Sequence, residues 1–218
     1  MTSKALNIYS LGRLDYEICL SAMQQFTQNR SADTEDELWM LEHYPIYTQG
    51  VAGKPEHLIA LPQIPVVQSD RGGQITYHGP GQLIVYTLLD LDRLNITIRE
   101  LVTALESACI ALLLHECGID AYARRDAPGI YIDDKKIASL GLRVKKSRSY
   151  HGIAINLDMD LSPFDIINPC GLAGMQMTQV SDLAQGLDFN YIKDKFISHL
   201  IRILGYTEVH YFNQHAML

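Results

Sequence analysis

The sequence predicts an α+β fold, with a mixed, largely antiparallel sheet flanked by helices. Strand-like segments occur in clusters, and helical segments occur at the start, the middle and the end of the chain. The two do not alternate strictly, as they do in a doubly wound parallel fold. No repeat, low-complexity tract or Ser/Gly linker divides the 218 residues, so we expect residues 1–218 to form a single domain.

Three amphipathic segments predict helices. Residues 97–116 carry a wide apolar face and are followed by Gly118, which is typical of a C-terminal cap. Residues 191–204 end in the same way at Gly205. Residues 14–29 have a narrower apolar stripe, which indicates a helix with one buried face. This stripe comprises Ile18, Ala22 and Phe26, with Met23 beside them.

Short apolar segments predict the strands of the sheet. The polar stretch K-K-S-R at residues 145–148 separates two of these segments, which favours a β-hairpin. The predicted strands lie at residues 38–42, 46–48, 64–68, 74–77, 83–89, 119–123, 129–132, 136–144, 149–157 and 209–212.

Composition and charge exclude several classes of protein. The chain has 18 basic and 25 acidic residues and a formal net charge of −7, so a general basic footprint for nucleic acid is absent. No apolar run reaches the ~18 residues of a membrane span, and the first residues lack the apolar core of a secretion signal. Four cysteines without C-x-x-C spacing are expected to be reduced thiols. We therefore expect a cytoplasmic protein.

A glycine-rich segment at residues 71–82 is the first candidate site. Its sequence is R-G-G-Q-I-T-Y-H-G-P-G-Q, and its glycines permit a close approach of the backbone to a ligand. Arg71, Tyr77 and His78 add a cation, an amphipathic ring and a titratable imidazole. The segment lacks the third glycine of a dinucleotide fingerprint and the Gly-Lys-Ser/Thr of a Walker A loop. A glycine-rich hairpin with a buried histidine explains the pattern equally well.

A second candidate lies at residues 133–141, where polar residues give way to an apolar stretch. A lysine at such a boundary can be partly desolvated, which favours its neutral form and makes it a candidate base. Lys136 occupies the boundary, although composition alone allows Lys135 equally. The alternative interpretation is a solvated lysine in a turn.

The third candidate is an ordered loop at residues 168–174, rich in glycine and proline, which presents Cys170. Cys19, Cys109 and Cys117 lie in apolar helical segments and are expected to be packing thiols. A reactive cysteine needs an electropositive neighbour that stabilises its thiolate. Lys136 or His78 is a candidate for that neighbour, but spacing alone does not show that either lies near Cys170.

The remaining polar patterns have simpler interpretations. His151 and Gly152 lie at the start of a predicted strand and are compatible with a structural role. The eight histidines show no metal-ligand spacing, so no metal site is expected. A local basic cluster is typical of a solvated hairpin face, yet in an acidic chain it is also where an acidic partner would dock. It comprises Arg143, Lys145, Lys146 and Arg148, with Arg124 and Arg125 as further candidates.

Taken together, these segments resemble the lipoyl(octanoyl) transferases, whose fold is that of the biotin and lipoate ligase catalytic domain. The match spans most of residues 14–185. It is carried by R-G-G-x-x-T-Y-H-G-P-G-Q at 71–82, K-I-A-S-L-G at 136–141, N-P-C-G at 168–171, His-Gly at 151–152 and the stretch 38–50.

The resemblance implies a specific activity in lipoate biosynthesis and protein lipoylation. An octanoyl group would pass from octanoyl-acyl carrier protein to a lysine amine of the lipoyl domains of 2-oxoacid dehydrogenases and of the glycine cleavage H protein. No metal or nucleotide cofactor, no nucleic acid and no membrane partner is expected. Residues 1–218 would then be a single acyltransferase catalytic domain.

The resemblance also implies residue roles. Cys170 would be the nucleophile that carries the acyl group as a thioester, and Lys136 would be its activating partner. The residues implied to line the acyl site are Arg71, Gly72, Gly73, Gln74, Ile75, Thr76, Tyr77, His78, Ala138, Ser139, Leu140, His151, Gly152 and Ile153.

Two other functions stay open. An ATP-dependent lipoate- or biotin-type ligase on the same fold would activate a free acid as an adenylate and would need no cysteine nucleophile. A non-catalytic scaffold would bind acylated carrier protein without turnover. The scaffold hypothesis leaves Lys136 and Cys170 without a role.

Overall fold

Among the residues that the structure describes, an eight-stranded mixed sheet forms the centre, and a separate sheet has three strands. The computed structural model describes residues 5–171 and 174–218, except for the side chain of Cys170. Within these residues, no helix is long and apolar enough to cross a membrane. The strands are β1 (Ala5–Leu14), β2 (Asp36–His43), β3 (Ile46–Gln49), β4 (Val66–Gln68), β5 (Ile75–His78), β6 (Gln82–Leu88), β7 (Tyr122–Ala123), β8 (Gly129–Ile132), β9 (Lys135–Lys145), β10 (Arg148–Asn156) and β11 (Glu208–Phe212). The α-helices are α1 (Tyr16–Asn29), α2 (Leu91–Leu94), α3 (Ile98–Cys117), α4 (Val180–Leu183) and α5 (Phe189–Leu204).

The main sheet has the order β11-β1-β2-β6-β10-β9-β8-β7, and the small sheet has the order β4-β3-β5. In the main sheet β1 is parallel to β2 and to β11, whereas the five other neighbouring pairs are antiparallel. The predicted mixed, largely antiparallel sheet flanked by helices is therefore confirmed. The predicted hairpin joins β9 and β10, because Lys146 and Ser147 both have the positive φ of a tight two-residue turn.

The main sheet separates two apolar cores. In the larger core Leu105 of α3 and Phe196 of α5 are fully buried with Ile153 of β10. The second core contains Met23 of α1 and Ala154 of β10. Successive side chains of a strand point to opposite faces, which is why neighbours in β10 belong to different cores. A third, smaller core includes Tyr47, Tyr77, Met159, Phe164 and Ile167.

The predicted helices are confirmed at α1, α3 and α5. Thr97 and Glu100 form a reciprocal capping box at the start of α3, and Gly118 ends that helix in the left-handed conformation. Gly205 ends α5 in the same way. The buried stripe predicted for α1 is wrong at Ile18, whose side chain is 57% exposed. Packing selects the neighbouring face of the helix, which carries Cys19, Ala22 and Met23.

The sequence patterns do not identify β1. Ala5, Leu6 and Ile8 are buried, but the second half of the strand is mostly exposed and its apolar alternation is short. Both partners of β1 are distant along the chain, so this strand depends on tertiary pairing. The strand predicted at 119–123 is shorter than expected, because only Tyr122 and Ala123 pair with β8.

Gly81 joins the β5–β6 turn to the end of β10. Its φ is +84°, and a Cβ at this position would collide with the backbone of Asp158. We expect Gly81→Ala to lower the free energy of unfolding by more than about 2 kcal/mol, because left-handed strain and the clash add. Urea unfolding monitored by circular dichroism would measure this loss.

Gly118→Ala is the matched control. Gly118 has a similar φ of +68°, but nothing lies within 4 Å of its added Cβ. Only the left-handed strain remains, so the expected cost is about 1 kcal/mol. Equal losses for the two variants would contradict the importance of the contact between Gly81 and β10.

Candidate active site

A cleft is bounded by β5, by the loop before it and by the face of the main sheet that carries α1. The cleft encloses about 520 Å³ of space outside the protein atoms, part of it open to solvent. Its walls combine apolar side chains with a few buried polar groups. The lining residues are Tyr16, Arg71, Gly73, Gln74, Ile75, Thr76, His78, Ile84, Tyr86, Ser139, Leu140, Gly141, His151, Gly152, Ile153 and Ala154.

Adjacent glycines allow the loop before β5 to lie directly against β9. A Cβ on Gly141 would lie 3.0 Å from the carbonyl oxygen of Gly72. The N–H of Gly72 donates to the carbonyl oxygen of Leu142 at 3.0 Å. Arg71 is buried beside this contact and stabilises the loop from inside. Its guanidinium donates to the carbonyl oxygens of Thr48, Gly72 and Gln74.

A directional chain of hydrogen bonds passes through His78. The Thr48 hydroxyl accepts from Arg71 Nε at 3.0 Å and lies 3.3 Å from His78 Nε2. Gln82 Nε2 donates to Asn156 Oδ1 at 2.9 Å, which turns Gln82 Oε1 towards His78 Nδ1 at 2.8 Å. Burial lowers the pKa of His78 well below its usual range. The imidazole is therefore neutral at physiological pH, with its proton on Nδ1.

A second neutral imidazole, that of His43, lies behind the cleft. Its Nδ1 lies 2.9 Å from the carbonyl oxygen of Leu14, and its Nε2 accepts from the Tyr86 hydroxyl at 2.6 Å. Burial lowers the pKa of His43 to about 4. The Tyr16 ring stacks on His78 with ring centres 6.0 Å apart. The Tyr16 hydroxyl is hydrogen-bonded to Ser69 at 2.6 Å. The rings of Tyr16, His78 and Tyr86 therefore contribute to the cleft walls with their polar atoms paired and without carrying charge.

His151 occupies a strained position in β10. Its φ is +61°, which is costly for a side chain with a Cβ. The break in strand geometry brings the rings of Tyr150 and His151 onto the same face, where they stack at 5.0 Å. Both side chains bind Asp70, Tyr150 through its hydroxyl at 2.5 Å and His151 through Nε2 at 2.8 Å. These hydrogen bonds hold the pKa of the Asp70 carboxyl well below its usual range, against the opposing effect of burial.

The protonation of His151 follows from this contact. An ionised carboxylate only accepts hydrogen bonds, so His151 Nε2 carries the proton that it donates to Asp70. Burial lowers the pKa of His151, which leaves Nδ1 without a proton. Within the described residues this buried nitrogen has no hydrogen-bond partner. The cleft therefore contains a histidine held in one tautomer at a cost in backbone strain.

The structure distinguishes between the two neighbouring lysines. Lys135 is exposed, whereas Lys136 is fully buried, because adjacent residues of β9 face opposite sides. Lys136 Nζ donates to the carbonyl oxygen of Pro128 at 2.9 Å and lies 5.4 Å from the centre of the Tyr131 ring. Lys136 lies three residues before the cleft-lining Ser139, about 10 Å along the strand. It lies beyond one end of the cleft rather than in its wall.

The side chain of Cys170 lies outside the described part of the structure. Its backbone belongs to a single turn of 3₁₀-helix, Pro169–Gly171. Gly171 has a φ of +72°, and its Cα lies so close to Gln74 that a Cβ would collide with that side chain. Gln74 lines the cleft, so the turn that carries Cys170 borders the cleft at this point.

The segment after Cys170 pairs with Lys136. The N–H of Lys136 donates to the carbonyl oxygen of Gln176, and the N–H of Thr178 donates to the carbonyl oxygen of Lys136, both at 2.9 Å. Cys170 lies six residues before Gln176, a length of chain that spans at most about 20 Å. The fold thus limits how far the backbone of Cys170 can lie from that of Lys136.

The other three cysteines are unsuited to nucleophilic chemistry. Burial raises the pKa of the Cys19 thiol to about 12, and it raises those of Cys109 and Cys117 as well. These thiols stay protonated near neutral pH. Their expected packing role agrees with their positions in α1 and α3.

The cleft contains most of the residues implied for the acyl site, but not all of them. Gly72 pairs with β9 behind the lining residues, and Ala138 is buried in the larger core. Tyr77 is buried in the third core and does not line the cleft. The remaining eleven line the cleft: Arg71, Gly73, Gln74, Ile75, Thr76, His78, Ser139, Leu140, His151, Gly152 and Ile153.

Sequence reasoning missed several residues of the site. Tyr86 lies within an apolar run, where a tyrosine is a detectable polar signal, and Asp70 directly precedes the glycine-rich segment. Tyr16 gives no signal, because only the packing of α1 brings it to the cleft. The other missed lining residues are Ile84, Gly141 and Ala154.

Fold and cleft define the class to which this protein belongs. A chain of the archaeal lipoylation system of Thermoplasma acidophilum, described as a bipartite lipoate protein ligase and its E2 lipoyl domain, superposes with a TM-score of 0.76 at 14% identity, covering 100% of this chain and 89% of that one. Biotin protein ligase from Aquifex aeolicus superposes with a TM-score of 0.57 at 14% identity, covering 91% and 68%. The fold is that of the lipoate and biotin ligase catalytic domains, as predicted.

Sequence comparison narrows the class to one family. Residues 15–201 match the model of the lipoyl protein ligase A/B catalytic domain. A curated relative named octanoyltransferase, from Pseudomonas entomophila (strain L48), is 52% identical over 206 residues, covering 94% of this chain and 95% of the relative. The chain belongs to the lipoyl protein ligase A/B catalytic domain family, and the resemblance inferred from its motifs is confirmed.

The neutral His43 predicts a pH dependence of stability. Its pKa is about 4 in the folded protein and ~6.5 when unfolded, so between these values the unfolded chain binds more protons. Stability should therefore fall as the pH drops from 6.5 to 4, by up to about 3 kcal/mol from this residue. Urea unfolding at several pH values would measure the slope.

His43→Gln keeps a donor for Leu14 and an acceptor for Tyr86 but cannot titrate. We expect it to reduce the slope between pH 4 and 6.5 by up to about 1.4 kcal/mol per pH unit. An unchanged slope in His43→Gln would contradict a neutral, buried His43.

Proposed function

We propose that this protein is an octanoyltransferase of lipoate metabolism. It moves an octanoyl group from octanoyl-acyl carrier protein to a lysine amine of lipoyl domains, those of 2-oxoacid dehydrogenases and of the glycine cleavage H protein, and residues 1–218 act as one catalytic domain. The observation that carries the proposal is the fully buried amine of Lys136, at the end of a largely apolar cleft. Relatives about half identical to this chain bear the name octanoyltransferase.

In the first half-reaction Cys170 attacks the donor thioester. A free thiol has a pKa of ~8.5, so only a small fraction is thiolate at neutral pH. The ammonium of Lys136 stabilises the thiolate, which forms a new carbon–sulfur bond and displaces the thiol of the pantetheine arm. Lys136 gives its proton to the departing thiolate, and the octanoyl group remains on Cys170 as a thioester.

In the second half-reaction the acceptor lysine attacks this thioester. Lysine has an unperturbed pKa of ~10.4 and must lose a proton to become a nucleophile. The neutral Lys136 left by the first step accepts that proton. An amide bond forms, the thiolate of Cys170 leaves, and the thiolate–ammonium pair is restored. Amide formation from a thioester is energetically downhill, so the reaction needs no ATP.

The cleft supports the proposal as a site for the acyl chain. Ile75, Ile84 and Ala154 supply apolar surface along its walls. An octanoyl chain has about seven carbons to bury, each worth ~0.8 kcal/mol when fully desolvated. We propose that the motif residues that line the cleft bind this chain, while Tyr77 and Ala138 support them from behind.

The oxyanion of each tetrahedral intermediate requires hydrogen-bond donors. The N–H groups of Gly72 and Gly171 already donate to the carbonyl oxygens of Leu142 and Asn168. Gly73 lines the cleft, and within the described residues its N–H makes no backbone hydrogen bond outside the regular elements. The backbone N–H of Gly73 is therefore the donor that we favour.

An ATP-dependent ligase is the competing function, because lipoate and biotin ligases have the same fold. The two functions differ in the substrates that they require. Under the transferase hypothesis, free octanoate with ATP and magnesium leaves a lipoyl domain unmodified, whereas octanoyl-carrier protein alone modifies it. Modification in the first mixture, detected by intact-protein mass spectrometry, would favour the ligase.

Cys170→Ser tests the covalent intermediate. Wild-type protein mixed with octanoyl-carrier protein should gain the mass of one octanoyl group, and the variant should not, because a serine hydroxyl is not ionised by a neighbouring ammonium at neutral pH. Intact-protein mass spectrometry measures the adduct. Cys19→Ser is the matched control and should still be acylated. A full adduct on Cys170→Ser would refute the role of Cys170.

Lys136→Met tests the activating amine with a side chain of similar length and no charge. We expect alkylation of Cys170 by iodoacetamide at pH 6.5 to slow by roughly tenfold or more, because the thiolate fraction falls. Lys135→Met changes the exposed neighbour and should leave the rate unchanged. Alkylation of Lys136→Met as fast as that of the wild type, in a variant with a native circular dichroism spectrum, would overturn the dyad.

A further inference from the structure

The basic residues anticipated as one cluster lie in two separate places. Lys145 and Lys146 lie at the tip of the β9–β10 hairpin, where Arg148 lies 3.9 Å from Asp90 in an ion pair. Arg124 and Arg125 lie between β7 and β8, at the opposite end of β9. The register of β8 on β9 brings only the second group near Lys136.

A groove runs between the first turns of α3 and the segment before β8. It encloses about 1340 Å³, much of it open to solvent, and its apolar floor includes Ile98, Val102 and Pro128. Three arginines line it, namely Arg99, Arg124 and Arg125.

The inner end of this groove touches the residues that hold Lys136. The carbonyl oxygen of Pro128 accepts from Lys136 Nζ at 2.9 Å. Glu106 also lines the groove, where burial raises the pKa of its carboxyl and the nearby Gly129 N–H and Lys136 amine oppose that rise. Arg99 lies seven residues before Glu106 in α3, about 10 Å away along the helix axis. The arginines therefore lie at the outer end of a path that leads to the buried amine.

The arginines of the groove are available to an anion. Arg99 and Arg125 are exposed, and among the described residues their side chains form no ion pair. Arg124 pairs with the exposed Asp126 at 2.8 Å and lies over the Tyr131 ring. All three are arginine rather than lysine, which favours forked hydrogen bonds to the oxygens of a phosphate.

We propose that this groove binds the pantetheine arm of the acyl donor, with Arg99 and Arg125 holding its phosphate and the apolar floor holding the rest of the arm. The inference rests on the proposed function. The acceptor offers an amine, which the arginines repel, whereas the donor arm is a phosphodiester that they attract. Binding here positions the thioester end of the arm towards Lys136.

Two small thioesters test the proposal without the carrier protein. Octanoyl-4′-phosphopantetheine and octanoyl-pantetheine differ only in the phosphate, and both should acylate the wild-type protein. We expect kcat/KM for acylation to be at least roughly tenfold higher with octanoyl-4′-phosphopantetheine than with octanoyl-pantetheine. Most of this difference should appear in KM, because the phosphate contributes to binding. In the double variant R99Q/R125Q this advantage should disappear, while the rate with octanoyl-pantetheine stays at the wild-type value.

The control variant K145Q/K146Q removes two exposed charges from the distant hairpin and should keep the phosphate advantage. Equal rates for the two thioesters in the wild type would overturn the phosphate site. The phosphate site would also be overturned if R99Q/R125Q lowered the acylation rate equally with both thioesters, or if K145Q/K146Q lost the phosphate advantage. A defect of R99Q/R125Q confined to transfer onto a lipoyl domain would assign the groove to the acceptor instead. If no thioester acylates the wild type, the proposed function itself fails.

Discussion

The removal of the Lys136 amine from water is the constraint on which the rest of the site depends. Burying an ammonium is costly unless it is paired or hydrogen-bonded. The carbonyl oxygen of Pro128 and the face of Tyr131 supply part of that compensation. Gly129 must lack a side chain, since a Cβ there would collide with the lysine. The strand that holds this amine continues into the wall of the cleft, so the buried amine and the cleft share one element.

The cleft is largely apolar, with Arg71 and a few neutral polar groups in its lining. Burial keeps His43 and His78 neutral, and their ring nitrogens are paired with Tyr86, Thr48 and Gln82. Because these ring nitrogens are already paired, an apolar chain can bind beside them without costing them a hydrogen bond. The exception is His151, whose strained backbone and unpaired Nδ1 occur where Asp70 holds the ring. Strain of this kind persists when the surrounding contacts determine it.

Helices and hairpins were predictable because their signals are local. Gly118 and Gly205 end their helices because glycine adopts the left-handed conformation easily. Residues 145–148 form a turn in which Lys146 and Ser147 have positive φ. β1 was not predictable, because both its partners come from distant parts of the chain. The exposure of Ile18 was not predictable either, because tertiary packing determines which face of α1 is buried.

The sequence by itself determined the fold class, because helix and strand signals are local, and it determined the family through the resemblance of three contiguous motifs. Only the tertiary structure decided that Lys136 is buried and Lys135 exposed, because adjacent residues of a strand point to opposite sides of the sheet. It also decided that Tyr77 is buried in the third core, that Asp70 belongs to the site, and that the basic residues form two groups. These outcomes depend on strand register and on contacts between residues far apart in the chain, which no local pattern records.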